Sequence, residues 1–207
     1  MQFKADFHIH SHYSRATSKE MNLISLTKWG QLKGLNVIGT GDFTHPKYFN
    51  EIQECLEPAE PGLYKLKDKY NKEINKEVFD SCKKEVRFLL SVEISSIYKK
   101  NDKVRKVHNI VLMPNIESAA KLNERLNKIG NIKSDGRPIL GLDSKELLKI
   151  VLDISENAML IPAHIWTPHF AVFGSVSGFD SLEECFEELT PYIYALETGL
   201  SSNPAMN

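Results

Sequence analysis

The sequence predicts an α/β fold with largely parallel strands. Short apolar runs of strand length alternate along the chain with segments of helical spacing, and loops rich in Gly, Pro and Ser separate several of them. Bulk composition agrees. With 207 residues, 42% hydrophobic and 26% charged, the chain is long enough to bury one sizeable core, and a single domain over residues 1–207 is expected.

Residues 3–10 read as a first strand. Residues 22–33 have helical spacing in Leu23, Leu26, Trp29 and Leu32, and Gly34 follows as a C-cap. Residues 37–42 form a second apolar strand. The stretch 65–84 is highly charged with Tyr70, Ile74, Val78 and Phe79 at helical spacing, which predicts a surface helix. Residues 88–95 and 107–113 read as two further strands. Residues 118–129 are amphipathic, and 143–152 form a helix with Asp143 as N-cap. A strand over 159–164, a helix over 181–189 and a last strand over 193–197 complete the order. Residues 131–141 and 167–178 are loops, and the chain closes on a turn-like GLSSNPAMN. A closed barrel needs at least one more strand, so the sequence is expected to belong to something longer.

No run approaches the ~18–20 consecutive apolar residues of a membrane span, and the opening MQFKADFHIH lacks the long apolar core of a secretory signal. A cytoplasmic location is expected. Cys55, Cys82 and Cys185 are widely spaced with no CxxC pair, which argues against a disulfide framework and a thiolate zinc site. The net charge of −1 conceals an asymmetry: residues 62–106 hold 13 Lys and Arg against seven acids, whereas 143–197 hold ten acids against Lys145 and Lys149. Such halves are either two ordinary solvated faces or a basic side that meets a polyanion.

Chemistry concentrates in ADFHIH. Side chains on a strand alternate faces, so Asp6, His8 and His10 share one face, and imidazoles ~7 Å apart along a strand can grip one cation. Asp42 ends the apolar run VIGTGD, Glu93 sits within LLSVEI, His108 begins HNIVLM, and His164 ends LIPAHI. Desolvating an unpaired ion in an apolar strand costs several kcal/mol, roughly, so each of these groups needs a partner. A divalent cation satisfies several of them together. Imidazole and carboxylate without thiolate suit Zn²⁺, Mn²⁺ or Fe²⁺ better than Mg²⁺ or Ca²⁺. There is no HExxH, no GxxxxGK and no GxSxG.

FHIHSHYS (7–14) resembles the opening HxHSxxS motif of the polymerase-and-histidinol-phosphatase (PHP) family of phosphoesterases. GTGDFTH (39–45), VEIS (92–95), VHNIV (107–111) and PAHIW (162–166) match its later motifs in order. Within that family YSRATSK (13–19), SDGRPILGLD (134–143), GSVSGFDSLEECF (174–186) and ALETGLSSNP (195–204) are similar to endonuclease Q, a DNA repair group that nicks 5′ of deaminated bases. The resemblance implies a distorted, TIM-like (β/α)₇ barrel, incomplete at its C-terminus, with up to three metal ions at one mouth. It implies that His8, His10 and Glu93 hold the first ion, that Glu93 bridges to a second on His108 and His164, and that Asp42 serves a third. Phe43 stands where the family has a TDH histidine, so His45 or His12 would have to compensate. The last Asp-x-His motif of the family is expected beyond residue 207.

Glu93 and Arg15 are the expected catalytic pair, the arginine gripping phosphate from the first loop. The basic run Lys99, Lys100, Lys103, Arg105 and Lys106 leads into His108, and Lys106 and Trp166 are further candidate contacts to DNA. Two other readings stay open on the sequence: a small-molecule phosphatase, and a catalytically silent domain that binds nucleic acid.

Overall fold

Strand pairing begins late and briefly in the computed structural model, which describes residues 2–199. The first strand, β1, pairs over Ala5–Asp6 alone, and residues 7–10 run on beyond the ladder. Helix α1 (Leu23–Lys33) ends as expected on Gly34 in the left-handed conformation, and at its start Asn22 accepts from the Ser25 N–H at 3.0 Å. Strand β2 covers Val37–Gly39 and pairs in parallel with β1.

Residues 43–64 had no predicted element, yet they hold helix α2 (Pro46–Cys55), strand β3 (Leu56–Pro58) and the start of β4 (Tyr64–Leu66). Pro46 in the first turn and the buried pair Tyr48 and Ile52, one helical turn apart, were the available signal. The helix expected over 65–84 is shorter, α3 (Asp68–Glu77), because residues 64–66 are drawn into the sheet.

Strand β5 (Arg87–Lys100) is the spine. It pairs in parallel with β2 and with β7 (Ile139–Leu140), and antiparallel with β4 and with β6 (Lys103–Met113). Strand β8 (Met159–Pro162) continues antiparallel from β6. The largely parallel sheet is therefore corrected to a mixed one. The reason lies in Asn101 and Asp102, both with left-handed backbone (φ 52° and 57°), which join β5 to β6 by a two-residue hairpin turn. A parallel crossover needs about a dozen residues or more, and none are available there. Strand β7 also falls inside the expected loop 131–141.

Helix α4 (Ile116–Ile129) starts at Asn115 and α5 (Ser144–Ile154) at Asp143, each cap side chain accepting a backbone N–H at 2.8 Å. Helix α6 (Leu182–Phe186) is short and passes into a 3₁₀ stretch, Glu187–Tyr192. The expected last strand, 193–197, forms no ladder. Its end still lies along β8, with Glu197 N–H donating to the Pro162 carbonyl (3.1 Å) and Ile165 N–H to that of Glu197 (3.0 Å). The GLSSNPAMN turn falls outside the described residues beyond Gly199.

Together the strands form a curled, open half-barrel. Strand alternation gives it two faces. Leu90, Val92 and Ile94 of β5, with Val107, Val111 and Met113 of β6, pack in the main core with Leu122, Leu126, Leu147 and Val151 of the helices. The opposite face carries Glu93, with Ile110, Leu112 and Ala163 in a second apolar cluster joined by Phe7 and Leu89. The acid expected on a strand thus lies on the face away from the main helical core.

Candidate metal centre

Glu93 is 2% exposed and stands at the middle of an imidazole cluster. His8 Nε2 lies 3.4 Å and His164 Nε2 3.1 Å from its Oε1, His108 Nδ1 lies 2.7 Å from the same oxygen, and His10 Nε2 lies 3.3 Å from Oε2. The sheet accounts for part of this. Glu93 pairs with Ile110 and Ser95 with His108, so Glu93 and His108 are diagonal neighbours on one face. His8 and His10 keep the i, i+2 alternation past the end of β1, and His164 follows β8 with its backbone in the left-handed region (φ 31°).

A second layer of groups engages the outer ring nitrogens. His8 Nδ1 lies 2.9 Å from both oxygens of Glu197, His10 Nδ1 is 3.1 Å from Asp42 Oδ1, and His164 Nδ1 is 3.1 Å from Thr167 Oγ1. Those contacts direct Nε2 of all three rings toward Glu93, as outer partners orient metal-binding histidines. Glu197 also accepts the His164 backbone N–H at 2.7 Å.

Asp42 is fully buried and saturated. Its Oδ2 accepts from Ser11 N–H (2.6 Å), Ser11 Oγ (2.7 Å) and Ser14 Oγ (2.9 Å). It sits after β2 in a tight left-handed turn, Gly41 at φ 64° and Asp42 at φ 49°. A Cβ on Gly41 would come 2.5 Å from the Ile9 carbonyl oxygen, so a glycine is required for the β2 end to approach the histidine segment.

Electrostatics follow from these contacts. Burial works against charge on His8 and His10, but the carboxylates beside them outweigh it: Glu197 and Glu93 push His8 up to about 10, and Asp42 and Glu93 push His10 up to about 9. Glu93 is buried too, yet its four imidazole partners hold it far below the usual carboxylate range. His108 moves down, because burial prevails over its contact with Glu93.

Two overlapping donor sets result, His8–His10–Glu93 and Glu93–His108–His164, each with ligand atoms within 4.8 Å of one another. Imidazole nitrogen and carboxylate oxygen with no thiolate fit a divalent cation of borderline softness. Five of the six expected ligands are thereby brought together around one carboxylate; Asp42 reaches the cluster through the His10 ring.

The other expected residues lie further out. Arg15 is 83% exposed, and its Nε lies 3.3 Å from Asp135 Oδ2. Lys106 Nζ sits 5.5 Å from the Phe170 ring centroid, and that ring is 4.7 Å from the ring of His108. Trp166 lies tilted against Phe173, ring centroids 5.3 Å apart. Neither His45 nor His12 contacts Glu93: His45 stacks on Tyr13, and His12 places Nε2 3.7 Å from Glu51. Of the basic run, Arg105 is buried against Phe179 and donates to the Gly178 carbonyl, and Lys100 pairs with Asp143 (3.3 Å) and Glu187 (2.7 Å). Two site residues escaped the sequence reading. Glu197 ended an expected strand, and Arg137, within SDGRPILGLD, brings a guanidinium nitrogen 3.3 Å from Glu93 Oε2.

The chain matches no protein-family model. It is 36% identical over 164 residues to an uncharacterized protein of Methanocaldococcus jannaschii, a match covering 79% of this chain and 16% of that protein. The crystal structure of the lesion-specific endonuclease Q of Pyrococcus furiosus superposes with a TM-score of 0.75 at 28% identity over 97% of this chain. The chain is similar to endonuclease Q in fold and in sequence. It spans 43% of the length of that endonuclease Q chain, and equally of a second endonuclease Q structure bound to a 27-mer duplex with an abasic lesion at the active site (TM-score 0.75, 29% identity). A Bifidobacterium adolescentis protein described as a metal-dependent phosphoesterase shares the fold at TM-score 0.54 and 14% identity, covering 94% of this chain and 77% of that one. The similarity to endonuclease Q is consistent with the PHP-type strings in the sequence.

Proposed function

We propose that this protein is a metal-dependent phosphoesterase, a DNA repair endonuclease that hydrolyses the phosphodiester 5′ of deaminated bases. The observation that carries the reading is the convergence of four imidazoles on one buried carboxylate, Glu93. The related endonuclease Q, described with a duplex substrate, supplies the choice of DNA. Residues 1–207 are read as one PHP domain, part of a distorted (β/α)₇ barrel.

In this reading His8, His10 and Glu93 hold one cation and Glu93, His108 and His164 another, with Asp42 serving the group through His10 or a third ion. Zn²⁺ is the first choice, with Mn²⁺ or Fe²⁺ as alternatives; such an ion supplies Lewis acidity and brings the pKa of water to about 7. Glu93 is the catalytic carboxylate that keeps both donor sets in register. Glu197, Asp42 and Thr167 hold protons at the outer ring nitrogens of His8, His10 and His164, leaving Nε2 directed at the reaction centre. Arg15, Lys106 and Trp166 are the outer contacts to the nucleic acid, the cations binding backbone phosphate. Three unpaired cysteines suit a reducing compartment, and cytoplasmic residence belongs to the same reading.

The test is a labelled oligonucleotide carrying one hypoxanthine or uracil, incubated with the purified protein and Mn²⁺ or Zn²⁺. Nicking 5′ of the lesion, abolished in His8→Ala and Glu93→Ala, is expected. Turnover of p-nitrophenyl phosphate alone would favour a small-molecule phosphatase. Salt-sensitive DNA binding with no turnover would leave a silent binding domain.

A further inference from the structure

Arg137 has no role in the ligand scheme, yet among the described residues it is the one Lys or Arg that reaches Glu93. Its side chain is 37% exposed while that of Glu93 is 1% exposed, so the residue runs from solvent to the buried carboxylate. The backbone on either side of it is hydrogen-bonded to the first loop and to β5, and its own N–H is capped within the loop. Gly136 N–H donates to the Tyr13 carbonyl (3.1 Å), Arg137 N–H to Asp135 Oδ1 (3.1 Å), and the Pro138 carbonyl accepts from Ser95 N–H on β5 (3.0 Å). A Cβ on Gly136 would lie 2.3 Å from Asp42 Oδ2, so the loop rests directly on the group that orients His10.

The contact with Glu93 is a single N–O approach at 3.3 Å, and that carboxylate already has four imidazole partners. A guanidinium fork suits two oxygens of one tetrahedral anion, and one-point pairing under-uses it. Asp135 serves both arginines of this rim, its Oδ2 pairing with Arg15 and its Oδ1 capping the Arg137 N–H.

We infer that Arg137 is the guanidinium that receives the substrate phosphate at this centre, with Asp135 as the residue that positions it. The inference rests on the phosphoesterase reading above and deepens it, placing the inner phosphate contact on the loop before β7 and leaving Arg15 the outer one. With a cation held on Glu93, its contact with Arg137 would weaken, and the tethered loop would keep the guanidinium at the mouth.

Calorimetric titration of the Zn²⁺-loaded protein with inorganic phosphate tests this, alongside metal content by mass spectrometry. Arg137→Ala and Arg137→Gln are expected to keep their metal and to bind phosphate roughly 10- to 100-fold more weakly. Arg137→Lys should recover part of the loss, since lysine offers charge without the fork. Asp135→Asn should weaken phosphate binding several-fold with metal content unchanged. Wild-type phosphate affinity in Arg137→Ala and Arg137→Gln, or loss of metal from both, overturns the assignment. A protein that binds phosphate through Arg137 and yet nicks no DNA would sink the nuclease reading and leave this one standing.

Discussion

Glu93 is the residue on which the centre turns, and replacing it by glutamine keeps the shape while removing the charge. Glu93→Gln is expected to lose most of its bound metal, measured by elemental analysis after dialysis, because one oxygen of each donor set disappears. Glu197 acts one layer out. Glu197→Gln should weaken metal binding by roughly 10- to 100-fold while leaving the fold intact, since an amide cannot hold the His8 Nδ1 proton as a carboxylate does; a competition titration with a chelating dye reads this out. The difference between the two explains what sequence could reveal. His8, His10, Glu93, His108 and His164 stood out because each is a charged or titratable group in or beside an apolar run. Glu197 lies at the end of a segment with no ladder of its own, and Arg137 in a Gly/Pro loop. Polar residues are ordinary in such places, so although both lie in strings similar to endonuclease Q, their chemistry did not mark them; only the tertiary approach to His8 and Glu93 does.

Elements were legible where they carry their own punctuation. Gly34 marks the end of α1 and Asp143 the start of α5, and an N-cap is worth about 1 kcal/mol. The hairpin between β5 and β6 was missed as a hairpin although Asn101 and Asp102 are residues that tolerate left-handed backbone. Short pieces such as β3, β4 and β7 owe their form to their neighbours, and two or three residues hold too little periodicity to be read. At this scale the loop before β7 offers a sharp test. In Gly136→Ala the new methyl meets Asp42 Oδ2 at 2.3 Å and Ser14 Oγ at 2.6 Å, with no flexible chain end to yield. A loss of about 1–3 kcal/mol in urea denaturation is expected, together with weaker metal binding as Asp42 shifts from His10.

Across the whole molecule the basic and acidic halves meet rather than stand apart. Lys100 of the basic stretch pairs with Asp143 and Glu187 of the acidic one, so part of the asymmetry seen in the sequence is spent on internal contacts. Proton linkage gives the centre a pH signature. His8 and His10 have folded pKa values of about 10 and 9, above the ordinary 6.5, so their stabilising contribution in metal-free protein is full below about 6.5 and fades as pH rises through 9 and 10. Bound metal requires the rings deprotonated, so the gain from added Zn²⁺ grows with pH instead. Denaturation midpoints with chelator and with Zn²⁺ should therefore diverge as pH rises, and parallel curves would contradict it. Among the described residues no helix is long and apolar enough to cross a membrane. The stitching of the β5–β6 hairpin to the segment after His164 has a kinetic consequence. Lys106 N–H donates to the Ser177 carbonyl (3.1 Å), His108 N–H to that of Phe170 (2.9 Å), and Arg105 is lodged at Gly178 and Phe179. The amides of Lys106 and His108 should then exchange with deuterium at one common rate, set by a single opening that lifts strand and loop together.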